Sequence, residues 1–131
     1  MIPACIIEAP EDELYKLVIL IKPLEDRASF DAEWPNFLHL VEGLPGLRRE
    51  ATSQVERFLY GQDHYSQMHE LFFDTLAEAE QALALPQGQA AGKLLQQMTK
   101  GRMCLFFAEH KEDDLANILK YRQPSGKPWP A

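Results

Sequence analysis

Only two cysteines occur among 131 residues, Cys5 and Cys104. That excludes a disulfide framework and points to a reducing compartment. Basic residues are in the minority, with 13 Lys and Arg against 20 Asp and Glu, for a net charge of −7. Such a balance leaves no basic stripe for a phosphate backbone, so nucleic acid is not an expected partner. Long hydrophobic runs are missing too. Runs such as Leu17 to Ile21 are far too short for a bilayer, and no membrane span is expected. The first residues carry acids where a secretory signal carries bases, so the expected location is cytoplasmic. There is no Gly-rich phosphate loop, nucleophile elbow or zinc-ligand spacing, and neither cofactor nor metal is expected. Repeats at the periods of solenoids and propellers are lacking as well.

What remains is an ordinary globular composition, 46% hydrophobic and 25% charged, of one-domain length. Residues 14–110 read as the domain, 1–13 as an N-terminal extension and 111–131 as a Pro-rich tail with Trp129 as its anchor on a partner subunit.

A strand is expected over 14–22, because Leu17 to Ile21 are apolar on both parities and both faces want cover. Phe30, Trp34, Phe37, Leu38 and Val41 form one helical stripe, which predicts a helix over 30–42 with Ser29 as N-cap. Pro35 should kink that helix or delay its regular part, and Gly43 should end it. The polar segment 47–57 reads as an edge strand. A buried strand is expected over 67–73. Thr75 and Glu78 then have capping-box spacing ahead of a helix over 76–84. Pro86 and Gly88 interrupt, a second helical piece runs over 88–98, and the last strand covers 102–109. A short helix over 114–119 precedes the tail.

The order strand, helix, strand, strand, helix, strand is the split βαβ pattern. It predicts an α+β, ferredoxin-like βαββαβ fold with an antiparallel sheet in the order 4-1-3-2. The helices can cover one sheet face only. The other is apolar as well, so a homodimer closing through that face is expected.

Five short stretches carry a resemblance. They are Trp34, Leu44-Pro45-Gly46-Leu47-Arg48-Arg49, Glu70-Leu71-Phe72-Phe73-Asp74-Thr75, Pro86-Gln87-Gly88-Gln89-Ala90-Ala91, and Gly101-Arg102. In this order and nearly ungapped, they resemble the EthD family of the dimeric α+β-barrel superfamily, over about 14–109. The resemblance implies a ferredoxin-like monomer that pairs through its sheet. It also implies a link to oxidative degradation, among relatives that include cofactor-free monooxygenases, lactone isomerases and polyketide cyclases. One departure is visible. The family often carries a His about four residues after the Trp, whereas Leu38 holds that place here and His39 follows it.

His69 and Glu70 open the buried strand, and an imidazole and a carboxylate there are either paired or functional. Each is a candidate general base; only one can face the helices, because strand residues alternate. The structural alternative for Glu70 is a pair with Arg48, Arg49 or Arg102, and for His69 a hydrogen-bonded strand start. Tyr15, Trp34 and Phe37 are candidate walls of a pocket between the first helix and the sheet, with His39, His64 and Tyr65 at its mouth; the alternative is simply core. His64, Asp63 and His69 do not have metal-ligand spacing. Cys104, in an apolar strand, is not an expected nucleophile. A structural or interaction module is favoured only if the tail is the main contact surface, and two further function classes remain. One is a cofactor-independent oxidoreductase or cyclase acting on a small aromatic or polyketide-like substrate. The other is a non-catalytic ligand-binding or accessory protein of a degradation operon.

Overall fold

The computed structural model describes residues 13–116. Its elements are β1 (Glu13–Ile21), α1 (Arg27–Glu42), β2 (Leu47–Gln54), β3 (Gln67–Phe73), α2 (Leu76–Ala84), α3 (Pro86–Thr99) and β4 (Met103–Lys111). One antiparallel sheet has the order β2-β3-β1-β4, as the pattern predicts. The extension before Glu13 and the tail with Trp129 lie outside the described residues. Residues 115 and 116 are helical, and the rest of the short helix expected over 114–119 also lies outside.

Several boundaries differ from expectation, each for a local reason. Asp26, not Ser29, caps α1. Its carboxylate accepts from the Ser29 amide at 3.0 Å and from the Ser29 hydroxyl at 2.6 Å, so Ser29 is the donor and the helix starts three residues earlier. Pro35 neither delays nor ends α1, which runs on for 16 residues around it with Pro35 on the exposed side. Strand β2 stops at Gln54, where Val55 donates to Ser66 at 2.9 Å and the chain leaves the ladder. Pro86 starts α3 rather than breaking it, sitting at the first helical position, where a missing N–H costs nothing. Thr75 caps α2 as expected, accepting from the Glu78 amide at 3.1 Å; its hydroxyl, not its amide, meets the Glu78 carboxylate.

One sheet face carries the core. Leu17, Ile19 and Ile21 of β1 and Leu71 and Phe73 of β3 pack on Phe30, Phe37 and Val41 of α1, Ala79 and Ala82 of α2, and Ala91 and Leu95 of α3. Gly88 lets α3 approach the end of α2, for a Cβ there would sit 2.2 Å from the Ala82 carbonyl. On the opposite face Lys16, Glu70 and Phe72 lie together. Phe72 is flanked by the Lys16 ammonium, the Arg49 guanidinium and the His110 ring. Glu112, just after β4, reaches Arg49 of β2 at 2.7 Å and His110 at 2.7 Å, tying the two ends of the sheet across this face. A bulge between Leu47 and Arg49 resets the parity of β2, so that Glu50 and Thr52 fall on the helix face.

Candidate functional site

His69 lies in the middle of β3 on the helix face and is 1% exposed. Trp34 and Phe37 of α1 meet it edge-on, with ring centroids 5.0 and 6.2 Å away. Trp34 also stacks between Phe30 and Phe37, so the aromatic stripe of α1 forms a wall over the imidazole. Thr52 sits directly across the β2–β3 ladder from His69, and Glu50 is two residues away on the same face. The consequence is a continuous chain. Thr52 Oγ1 is 2.8 Å from His69 Nδ1, and His69 Nε2 is 3.0 Å from Glu50 Oε1.

Chemistry fixes the proton positions. An ionised carboxylate can only accept, so Nε2 carries the hydrogen and donates it to Glu50. Nδ1 then has the lone pair and accepts from the Thr52 hydroxyl. Burial holds the imidazole below its ordinary pKa; the hydrogen bond to Glu50 and the charges of Glu50 and Glu70 oppose this without overcoming it. His69 is therefore a neutral base at physiological pH, with a carboxylate placed to stabilise its protonated form. The arrangement opens on one side. Thr52 is exposed, while Glu50 is half-buried on the sheet edge. One step along the strands, the buried Gln67 accepts from Arg27 at 2.6 Å and from Gln54 at 3.2 Å, continuing the polar seam under the start of α1.

The lowered pKa has a stability consequence. Unfolded, His69 should protonate near 6.5; folded, it does so only at lower pH. Between these values the unfolded state binds more protons. His69 therefore leaves stability intact above about pH 6.5 and takes it away as pH falls below that toward the folded value. The thermal midpoint of the native chain should accordingly fall more steeply on acidification than that of His69→Gln. Parallel pH profiles would contradict the assignment.

The other expected site residues are placed differently. Glu70 faces away from the helices and is paired with Lys16 of β1, not with the arginines. Arg48 instead binds Asp74 at 2.6 Å, Arg49 binds Glu112, and Arg102 donates to the Pro23 carbonyl at 3.1 Å. The register explains it: Glu70 opposes Val18, which leaves Lys16 as its diagonal neighbour. Tyr15 pairs with Phe73, roughly 13 Å along β3 from His69. It donates to Glu109 at 3.2 Å and lines a separate cavity of about 230 Å3. His39 is exposed in the last turn of α1. His64 is exposed and stacks on Phe58 in the β2–β3 connection. Tyr65 is half-buried beside it, its phenol pushed up first by burial and then by Cys104 and Asp63. The structure thus brings together His69, Trp34 and Phe37, and it adds Glu50 and Thr52, which sequence reasoning missed. Their spacing of two in a polar strand was the available signal, and the bulge hid which parity turns inward.

A cleft of about 530 Å3 lies elsewhere, where the start of α1 meets the end of α3, over Leu24, Asp26, Ser29, Leu94, Met98 and Arg102. Among the described residues, no group of three or more His, Cys, Asp or Glu is placed to hold a metal. No helix among them is long and apolar enough to cross a membrane.

No protein-family model matches the chain. It is 25% identical over 99 residues, 75% of this chain and 96% of the relative, to an uncharacterized 11.0 kDa protein of the thcB-thcC intergenic region of Rhodococcus erythropolis. Among solved structures it is similar to an ethyl tert-butyl ether D (EthD) family protein of Bacillus halodurans, at 26% identity and a TM-score of 0.67, over 74% of this chain and 98% of that one. A dimeric ferredoxin-like protein of unknown function from Jannaschia sp. shares the fold at 23% identity and a TM-score of 0.56, over 74% and 98% of the two chains. So does a cofactor-independent oxygenase from Streptomyces nogalater, at 15% identity and a TM-score of 0.51, over 79% and 95%. In sequence and in fold, the chain is EthD-like, with an α+β, ferredoxin-like sheet of four antiparallel strands.

Proposed function

We propose that this is a small cytoplasmic, cofactor-independent enzyme in which His69 removes a proton from an aromatic or polyketide-like substrate. The observation that carries the reading is the chain Thr52–His69–Glu50, a buried neutral imidazole oriented by a carboxylate and opening toward an exposed threonine on the edge strand. Substrate enters at the β2 edge, where Thr52 gives way to it, and Trp34 and Phe37 supply the aromatic wall. With His69 as the sole base, the substrate must bring its own acidity, as a phenol or a 1,3-diketone does. A positioned base adds on the order of 10² to 10⁴ in rate, enough for such substrates and too little for an unactivated one. The cofactor-independent oxygenase of the same fold is consistent with this chemistry.

The test is a panel of hydroxylated aromatics and 1,3-diketones offered to the native chain. Turnover above the buffer rate with at least one member is expected. No turnover, together with a raised melting temperature for one member, would favour a ligand-binding accessory protein, whose ligand the cleft over Leu24 and Met98 is large enough to take.

The reading includes a homodimer through the open sheet face, with residues 14–110 as the folding unit. Phe106 of β4 is 44% exposed on that face. Burying it against a second copy removes the apolar surface a monomer would show to water. The dimeric Jannaschia protein of the same fold accords with this. Light scattering at micromolar concentration should give twice 15.0 kDa, and Phe106→Asp should shift the mass toward the monomer. A native chain of monomer mass would contradict it.

A further inference from the structure

We propose that Thr52 is a nucleophile that takes an acyl group from an activated ester or thioester, with His69 as its base and Glu50 as the residue that orients the base. The proposal shares its base with the reading above and rests on it. It adds a second kind of chemistry, acyl transfer, at the same edge of the sheet.

Three observations carry it. The first is distance: hydroxyl to imidazole is 2.8 Å and imidazole to carboxylate is 3.0 Å, each within the reach that links nucleophile, base and orienter. The second is the division of exposure. His69 is 1% exposed, whereas Thr52 lies open on the edge strand β2, so a carbonyl can reach Oγ1 without disturbing the base. The third is the direction of the backbone amides. Val55 donates to Ser66 of the neighbouring segment, so the odd residues of β2 turn their amides toward β3. Alternation then turns the amides of Thr52 and Gln54 outward, at an edge where no further strand among the described residues pairs with them. The outward Thr52 amide stands beside the attacking oxygen, as an oxyanion donor must.

The step balances without any further reagent. Thr52 Oγ1 forms a bond to the carbonyl carbon, and its proton passes to His69 Nδ1. The oxyanion collapses, the bond to the leaving alkoxide, phenoxide or thiolate breaks, and Nδ1 returns the proton to that leaving group. Water then attacks the acyl-threonine, with Nδ1 taking its proton; the bond from the acyl carbon to Oγ1 breaks, the carboxylic acid departs, and Nδ1 returns the proton to Oγ1.

p-Nitrophenyl acetate is the probe. Intact mass and peptide mapping read the acetyl group, and nitrophenolate release reads the rate. On the same sample, deuterium exchange into a 1,3-diketone reads the base. Acetylation of the native chain is expected on the peptide that contains Thr52. Thr52→Ser should keep it. Thr52→Val, the same shape on an exposed position, should lose it. His69→Gln should slow it by on the order of 10² to 10⁴. Acetyl groups on lysines alone, or equal labelling of Thr52→Val, would overturn the nucleophile. If deuterium exchange persists in that case, His69 remains the base and only the acyl chemistry falls. If neither reaction of the native chain exceeds buffer, both readings fall.

Discussion

His69→Gln should lower the rate of proton abstraction from a phenol or 1,3-diketone by on the order of 10² to 10⁴, the usual contribution of a positioned general base. Glutamine is chosen because it keeps a donor for Glu50 and a polar atom near Thr52, so the seam stays satisfied. What it cannot do is accept a proton near neutral pH. The loss should therefore appear in kcat with a modest change in melting temperature. A variant that is folded and as fast as the native chain would remove His69 from the chemistry. Glu50→Gln should fall between the two, since the imidazole keeps an acceptor but loses the charge that stabilises its protonated form.

Phe73→Ala should cost about 3–5 kcal/mol of stability, the range for emptying a fully buried aromatic position. Phe73 is 0% exposed at the end of β3, between Tyr15 and Leu47 and against the helix layer. Domains of this size hold about 5–15 kcal/mol in total, so much of the fold's margin should go. Urea unfolding should show a lower midpoint with an unchanged slope. Phe106→Ala is the contrast: its ring is 44% exposed, so the monomer core should barely register the change. Equal losses in the two variants would mean that the core is not where the helix face places it.

How much of this was legible follows from what each element shows in sequence. The bounds of β3 are those expected, because the apolar run Leu71 to Phe73 is closed by Asp74 and a cap at Thr75. The sheet order was readable from the element order alone. The start of α1 was not. Arg27 and Ala28 add nothing to the apolar stripe, and both Asp26 and Ser29 are cap-forming residues, so the choice rests on backbone geometry. The site was half legible. An imidazole in a buried strand announces itself, and Trp34 and Phe37 share its helix stripe. Glu50 and Thr52 did not announce themselves, because a strand polar on both parities does not reveal its inward face, and the bulge after Leu47 resets that parity. Tyr15 was misplaced for the complementary reason. It has the right parity but lies too far along the strand, and only the register shows this. Lys16, the partner of Glu70, is the one basic residue of a largely apolar strand, and its role appears once Val18 is seen opposite Glu70.

The most direct test of the account is to add a 1,3-diketone to the isotope-labelled native chain and map the changes in its NMR spectrum. Shifts should gather on Glu50, Thr52 and His69, with the His69 ring nitrogens moving most and Trp34 following. Shifts confined to Leu24, Leu94, Met98 and their neighbours would put the ligand in the cleft between α1 and α3 and contradict a site built on His69.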